Sequence, residues 1–216
     1  MTESTAVHVA VYDTLADWEI GYVTTAVNND EFQREPGRYR VVTVGEAREP
    51  VTTKGGLRIT PDCALDELEP AESAMLILPG ADTWGTGGNA TFAKAARSFL
   101  EQGVPVAAIC GATFGLAVEG LLDDREHTSN DPGYLASSGY RGIDRYRPEP
   151  SVTDTSGTSP LITATGIAPI EFSRDIFNVL DLYEPAVLSA WFKLYRDQNS
   201  AGYFELMEHL EAVASA

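Results

Sequence analysis

Cys110 is the residue of this chain that is best placed to do chemistry, because a cysteine thiolate is both a nucleophile and a target of oxidation. It follows an apolar run at 104–109, which predicts a buried strand, and it precedes Gly111, where a helix is expected to begin. So sharp a turn admits only small residues two places to either side, here Ala108 and Ala112. Since a helix N-terminus stabilises a thiolate, we expect the pKa of Cys110 to lie below its free value of about 8.5.

The elements that must position Cys110 are short apolar runs that alternate with helical stretches, a pattern typical of a parallel sheet covered on both faces. We also expect Asp17 to cap a helix reaching Val27, and 121–128 to contain a turn and a strand. The other predicted strands are 8–12, 39–44, 57–60, 74–78 and 161–165, and the other predicted helices are 90–101, 169–180, 184–196 and 201–214.

Three loops with chemically capable residues follow predicted strands, at 13–19, 79–88 and 110–111. In sheets of this kind, ligands bind beyond the carboxyl ends of the strands. The sequence therefore predicts one site, for a small-molecule substrate, at this edge of the sheet.

The composition is strongly acidic, with 15 Lys and Arg against 32 Asp and Glu and a net charge of −17. Nucleic acid and anionic membrane surfaces are therefore not expected as partners. The only cysteines are Cys63, which we interpret as structural, and Cys110, and they form no disulfide framework or zinc motif. With a polar start at 1–6 and no run of about 18 apolar residues, we expect a cytoplasmic protein.

Four segments of the chain resemble the ThiJ/PfpI superfamily, which is related to the class I glutamine amidotransferases. They are the strand and loop at 9–19, LPG at 78–80, AAICG at 107–111 and GLLDDR at 120–125. In addition, YDTLADWE at 12–19 and HTSN at 127–130 are similar to a bacterial subgroup described as glutamine amidotransferases or intracellular proteases and amidases.

The resemblance implies a three-layer α/β/α sandwich with a mostly parallel, flavodoxin-like sheet. It also implies a homodimer. The length predicts one domain over 1–216, with the helices of 184–216 as a C-terminal extension packed on it. The resemblance also makes Glu19 the carboxyl partner of the cysteine sulfur, and the N–H groups of Gly111 and of Gly80 or Ala81 the oxyanion donors. The residues expected to line the substrate are Asn130, Trp18, Asp17 and Thr113.

A general base is harder to find in the sequence. A class I glutaminase has a histidine after the last strand, but 165–171 contains none, and the residue after Cys110 is glycine. Other members of the superfamily have a histidine at the position that aligns with Asn130. His127 is therefore the only candidate base, although side chains alternate along a strand and an offset of three residues would turn it to the other face.

Three functions remain open from the sequence. In the first, Cys110 attacks a small carbonyl or amide substrate, with Glu19 as acid or base. In the second, Cys110 senses oxidants by becoming a sulfinic acid that Glu19 stabilises. In the third, the fold is a binding module without catalysis. No motif requires a metal or another cofactor, and the glycines at 85–88 lack the spacing of a phosphate-binding loop.

Overall fold

A seven-stranded central sheet organises the computed structural model, which describes residues 4–215. Six of its strands are parallel, and the strand at one edge runs antiparallel to its neighbour. The strands of the described residues are β1 (Thr5–Ala10), β2 (Tyr39–Gly45), β3 (Val51–Thr52), β4 (Arg58–Ile59), β5 (Cys63–Ala64), β6 (Ser73–Leu78), β7 (Val106–Ile109), β8 (Ser151–Asp154) and β9 (Leu161–Ala164).

The strand order of the sheet is β5-β2-β1-β6-β7-β9-β8, and β3 and β4 form a separate small hairpin. The four central strands β1, β6, β7 and β9 are apolar along nearly their whole length and almost completely buried. Strands buried on both faces show such continuous apolar runs instead of alternation. The predicted sheet, mostly parallel and covered on both faces, is therefore confirmed.

Helices cover both faces of the sheet and complete the three layers. One apolar core lies between the sheet and α1 and α5, and it continues to α6 and α7; the other lies between the sheet and α2 and α3. The α-helices of the described residues are α1 (Gly21–Asn28), α2 (Ala90–Glu101), α3 (Gly111–Val118), α4 (Pro132–Ala136), α5 (Pro169–Val179), α6 (Pro185–Arg196) and α7 (Ala201–Ala214).

The C-terminal helices α6 and α7 extend the core that lies over α5. Trp191 of α6 packs edge-on against Phe177 of α5, with 5.0 Å between the ring centroids, and Leu206 of α7 is buried in the same cluster. The ends of the predicted 1–216 domain, residues 1–3 and 216, lie outside the described residues. The division into a domain and a C-terminal extension stays a prediction.

Two local predictions were wrong. The segment 121–128 contains turns and a single bridge between His127 and Tyr146, with no strand. Asp17 does not cap α1, whose N-cap position is Ile20 without a side-chain cap. The carboxylate of Asp17 instead accepts hydrogen bonds from the turn between β3 and β4. This tertiary contact replaces the local cap.

No helix within residues 4–215 combines the length and apolar character that crossing a bilayer requires.

Trp84 fastens the loop after β6 to helix α3. Its indole N–H donates to the carbonyl of Pro79 at 3.0 Å, and its ring is buried. The ring lies so close to Gly115 that a Cβ added there would overlap it. Glycine at position 115 therefore lets α3 approach this loop closely.

We expect Gly115→Ala to lower the free energy of unfolding by about 2 kcal/mol, because overpacking against the fixed indole exceeds the ~1 kcal/mol that alanine gains over glycine in a helix. Gly85→Ala is the matched control, since an added Cβ there meets nothing within 4 Å. Urea unfolding of both variants checks this. Equal stability of the two variants would contradict the packing argument.

Candidate active site

The carboxyl ends of the central strands bring four distant parts of the chain together. Because β1, β6, β7 and β9 are successive neighbours in the sheet, the loops that follow them meet at one edge. Cys110 follows β7 directly, while Gly80 and Gly166 lie two residues beyond β6 and β9. Glu19 lies in the loop after β1. The predicted edge of the sheet is thus where these residues converge.

Cys110 occupies a sharp turn between β7 and α3. Its backbone has φ 58° and ψ −125°, a region that residues with a side chain rarely adopt. Its N–H donates to the carbonyl of Ala164 at 2.9 Å, and its carbonyl accepts the hydroxyl of Thr113 at 2.6 Å. These bonds hold the strained conformation, which directs the side chain towards the loops at the sheet edge.

Two glycines leave the space that the sulfur and the Glu19 carboxyl occupy. A Cβ added at Gly80 would lie 3.0 Å from Cys110 Sγ and 2.9 Å from Glu19 Oε2. A Cβ added at Gly166 would lie 2.7 Å from Sγ and 3.1 Å from Glu19 Oε1. Each of the two glycines therefore packs against both the sulfur and the carboxyl, and a side chain at either position would displace these two groups.

Glu19 is completely buried, which is rare for a carboxylate. Its Oε2 accepts the N–H of Gly80 at 2.5 Å, whereas its Oε1 has no hydrogen-bond partner within residues 4–215. Burial raises the pKa of Glu19 to about 7, although the hydrogen bond from Gly80 and the neighbouring Cys110 thiol favour its charged form. The carboxyl therefore changes its protonation state near neutral pH.

The pKa of Cys110 is also raised, contrary to the sequence-based expectation. Burial raises the pKa of the thiol, and the negative charge of Glu19 raises it further. Hydrogen bonds from Asn130 and from the N–H of Gly111 oppose the shift. The helix end thus favours the thiolate, as expected, but burial beside a carboxyl outweighs it.

Asn130 contacts the sulfur directly. Its Nδ2 donates to Cys110 Sγ at 3.3 Å, and its Oδ1 accepts the N–H of Gly166 at 2.8 Å. Because Oδ1 faces an N–H donor, Nδ2 must be the atom that faces the sulfur. Asn130 can therefore stabilise a thiolate, but an amide cannot accept its proton.

The candidate oxyanion donors are backbone N–H groups near the turn. The N–H of Gly80 is already bonded to Glu19, so it does not serve as the free donor that the sequence suggested. The N–H of Ala81, the other predicted donor, has no acceptor within residues 4–215. The carbonyl oxygen of Ala81 lies 3.1 Å from the position of a Cβ added at Gly111, so the peptide groups of these two residues are close together. Ala81 and Gly111 remain the predicted pair.

His127 makes no hydrogen bond to the cysteine, which corrects its assignment as the candidate base. Its Nδ1 donates to the carbonyl of Arg125 at 2.8 Å, so its Nε2 is the atom that accepts the hydroxyl of Tyr140 at 3.0 Å. The ring is buried between Tyr140 and Tyr146, and burial lowers its pKa. Both nitrogens are thus used in holding a neutral ring inside the protein.

Of the predicted substrate-lining residues, Trp18 lies at the surface with about half of its area exposed, and its indole N–H donates to the carbonyl of Gly166 at 3.0 Å. Asp17 accepts bonds from Thr53 Oγ1 at 2.5 Å and from the N–H of Gly55 at 2.6 Å, and so it fastens the hairpin. Thr113 is fully buried and supports the turn, so it does not line a substrate site.

Gly166 is a site residue that the sequence does not predict. It lies against the sulfur, its carbonyl accepts the indole N–H of Trp18, and its N–H donates to Asn130. The available signal was a glycine just beyond an apolar strand, on the edge of the sheet where ligands bind.

Comparison with known proteins places the chain in a family. Residues 5–179 match the model of the DJ-1/PfpI family, and the chain belongs to that family. It is 41% identical to the "Uncharacterized protease YoaZ" of Bacillus subtilis over 93% of this chain and 95% of that protein. It is 32% identical to the "Uncharacterized protease YdeA" of the same organism over 81% of this chain and 83% of that protein.

Solved structures agree with this assignment. A thiJ/pfpI family protein from Bacillus anthracis is 37% identical, with a TM-score of 0.88, over 95% of this chain and 96% of that one. A DJ-1 superfamily protein from Agrobacterium tumefaciens is 29% identical, with a TM-score of 0.78, over 90% of this chain and 100% of that one. The resemblance to the ThiJ/PfpI superfamily and its flavodoxin-like fold is confirmed.

The raised pKa of Glu19 predicts a pH-dependent stability. Its folded-state pKa of about 7 exceeds its ordinary value of 4.5, so the folded state holds an extra proton between these values and loses stability as the pH rises through them. We expect the free energy of unfolding of the wild type, relative to Glu19→Gln, to fall by about 3 kcal/mol between about pH 4 and about pH 8. Denaturant unfolding across this range measures it, and parallel curves for the two proteins would contradict it.

Proposed function

We propose that this protein is an enzyme that acts on a small carbonyl compound, with Cys110 as the nucleophile and Glu19 as its acid and base. The observation that carries the proposal is the buried Glu19 carboxyl, which lies beside the Cys110 sulfur against Gly80 and Gly166 and whose pKa burial raises to about 7. A general acid–base group works best when its pKa lies near the working pH, because it can then both accept and return a proton.

The proposed reaction begins with addition of the thiol across the carbonyl double bond. The thiol proton passes to the Glu19 carboxylate as the sulfur–carbon bond forms and the carbonyl electron pair moves to oxygen. The N–H groups of Gly111 and Ala81 stabilise that oxygen. Glu19 then returns its proton to the oxygen, and a neutral hemithioacetal results. For an α-oxoaldehyde such as methylglyoxal, Glu19 next moves the proton of the former aldehyde carbon to the adjacent carbonyl carbon by way of an enediol, which leaves the thioester of a 2-hydroxy acid on Cys110. Water then hydrolyses this thioester, which releases the 2-hydroxy acid and restores the thiol. Asn130 favours the thiolate that attacks, through its bond to the sulfur.

An aldehyde suits this site better than an amide. Amide cleavage must deliver a proton to a departing amine, a task that a histidine commonly performs. Within residues 4–215 no histidine nitrogen bonds to Cys110 or Glu19, and His8 and His127 are bonded elsewhere. The two Bacillus subtilis relatives are named as proteases, which favours amide hydrolysis as the alternative reaction.

Turnover of methylglyoxal, set against release of ammonia from glutamine, tests the proposal. We expect methylglyoxal consumption that Cys110→Ala abolishes and that Glu19→Gln lowers by a factor of about 100 or more, the usual contribution of a general acid–base group. Cys63→Ser is the matched control for loss of a thiol and is expected to keep full activity. Folded wild-type protein that consumes neither compound would overturn both reactions, and activity on glutamine alone would favour the amidase.

A redox function is the second candidate, favoured by the donors around the sulfur. Asn130 Nδ2, the N–H of Gly111 and a protonated Glu19 could each donate to the oxygens of a sulfinate. The raised pKa of the Cys110 thiol counts against rapid oxidation, since the thiolate is the form that reacts.

Mass spectrometry after mild peroxide treatment tests the redox candidate. If it is correct, Cys110 gains two oxygen atoms before Cys63 is modified, and less sulfinate accumulates in Asn130→Ala because one donor is lost. Oxidation of Cys63 with Cys110 still reduced would exclude a sensor. A Cys110 that also resists alkylation at high pH would favour the non-catalytic binding module. The homodimer and the cytoplasmic location stay predictions.

A further inference from the structure

A large cavity lies beside the candidate active site, between α1 and the C-terminal helices. Its volume is about 680 Å³, within the range of about 300–1,000 Å³ that small-molecule sites occupy. Most of its lining is aromatic or aliphatic. The side chains that matter for its character are Trp18, Tyr22, Phe32, Trp191, Tyr195 and Met207.

The aromatic walls of the cavity support one another. Tyr22 of α1 contacts the rings of Trp191 and Tyr195 edge-on, with centroid distances of 5.9 and 5.3 Å. Trp191 and Tyr195, four residues apart on α6, also pack together at 5.0 Å. Rings fixed in this way form a pre-shaped apolar surface, on which a flat apolar group binds with little loss of side-chain freedom.

Trp18 connects the cavity to Cys110. Its ring lines the cavity, and its indole N–H is bonded to the carbonyl of Gly166, the glycine that packs against the sulfur. Gly166 is therefore the residue that lies between Trp18, in the wall of the cavity, and the sulfur of Cys110. Ile167, the next residue, is 92% exposed, and it extends the apolar surface beside the site.

We propose that this cavity binds the aromatic group of the substrate whose carbonyl reacts at Cys110. The proposal rests on the function proposed above and names its substrate class, an aromatic aldehyde without negative charge. The lining includes the carboxylate of Glu31, and the chain carries a net charge of −17, so an anionic group is disfavoured there.

Binding of an unreactive aromatic probe tests the cavity independently of any chemistry. We expect 4-fluorobenzyl alcohol to bind the wild type and Cys110→Ala alike, with a dissociation constant on the order of 1 mM, as measured by fluorine NMR. Thr25→Trp places an indole in the cavity and should weaken binding at least fivefold. Thr91→Trp adds the same side chain to an exposed threonine of α2 that does not line the cavity, and it should not change binding.

Selectivity between two aldehydes tests whether the cavity serves Cys110. Phenylglyoxal and methylglyoxal have the same reactive aldehyde, but phenylglyoxal carries a phenyl group where methylglyoxal carries a methyl group. We expect the wild type to have a kcat/KM at least tenfold higher for phenylglyoxal, and Thr25→Trp to lower this ratio at least fivefold. Thr91→Trp should keep the ratio. Tyr195→Ala, which removes one wall, should lower it if Thr25→Trp does not fold.

The outcomes separate this proposal from the proposed function. Probe binding without turnover of either aldehyde would overturn the proposed function and, with it, the assignment of the cavity to the substrate. Turnover with equal kcat/KM for both aldehydes, unchanged by Thr25→Trp, would overturn the cavity proposal alone. Absence of probe binding together with a dimer in sedimentation, dissociated by Thr25→Trp, would assign the cavity to a second copy of this chain and also overturn it.

Discussion

The structure of the site depends on one constraint, which is that a buried carboxyl and a partly buried thiol lying side by side cannot both be charged at moderate cost. Burial raises the pKa of both Glu19 and Cys110, and the negative charge of Glu19 raises the pKa of Cys110 further. The pair is therefore best regarded as a coupled unit that shares protons, and its apparent pKa values belong to both residues. The surrounding residues provide donors: the N–H of Gly80 for the carboxylate, and Asn130 and Gly111 for the thiolate.

The fold lets the carboxyl and the thiol lie side by side because the residues that surround them at two positions are glycines. Gly80 and Gly166 approach the pair from the loops after β6 and β9, and a Cβ at either position would lie within about 3 Å of the sulfur. The strained turn at Cys110 directs the side chain into the remaining space. Since close-packed interiors resist added volume, these glycines and the strained turn act together to hold the two acids in contact.

Local features of the sequence predicted the parts of the site that depend on local chemistry. The turn at Cys110 follows from an apolar run and its small neighbours, and Glu19 follows from its match to the family. The role of Asp17 was predicted wrongly. The sequence predicts a helix cap, but the carboxylate accepts a hydrogen bond from the β3–β4 hairpin, 36 residues away in the chain. A glycine just beyond an apolar strand marks position 166 as a candidate, but its approach to the sulfur, like the raised pKa of Cys110, depends on contacts between loops that are distant in sequence.

Asn130 defines what the coupled pair can do, because it limits where a proton can go. It lies against the sulfur, and its amide donates a hydrogen bond but accepts no proton. In the proposed reaction, one proton leaves the thiol for Glu19 and returns from Glu19 to the substrate oxygen. Addition to a carbonyl needs only Glu19 as a proton carrier, whereas amide cleavage needs a further proton at the leaving nitrogen. A site with one buried carboxyl and an amide beside the sulfur is therefore better suited to carbonyl addition than to cleavage of an amide.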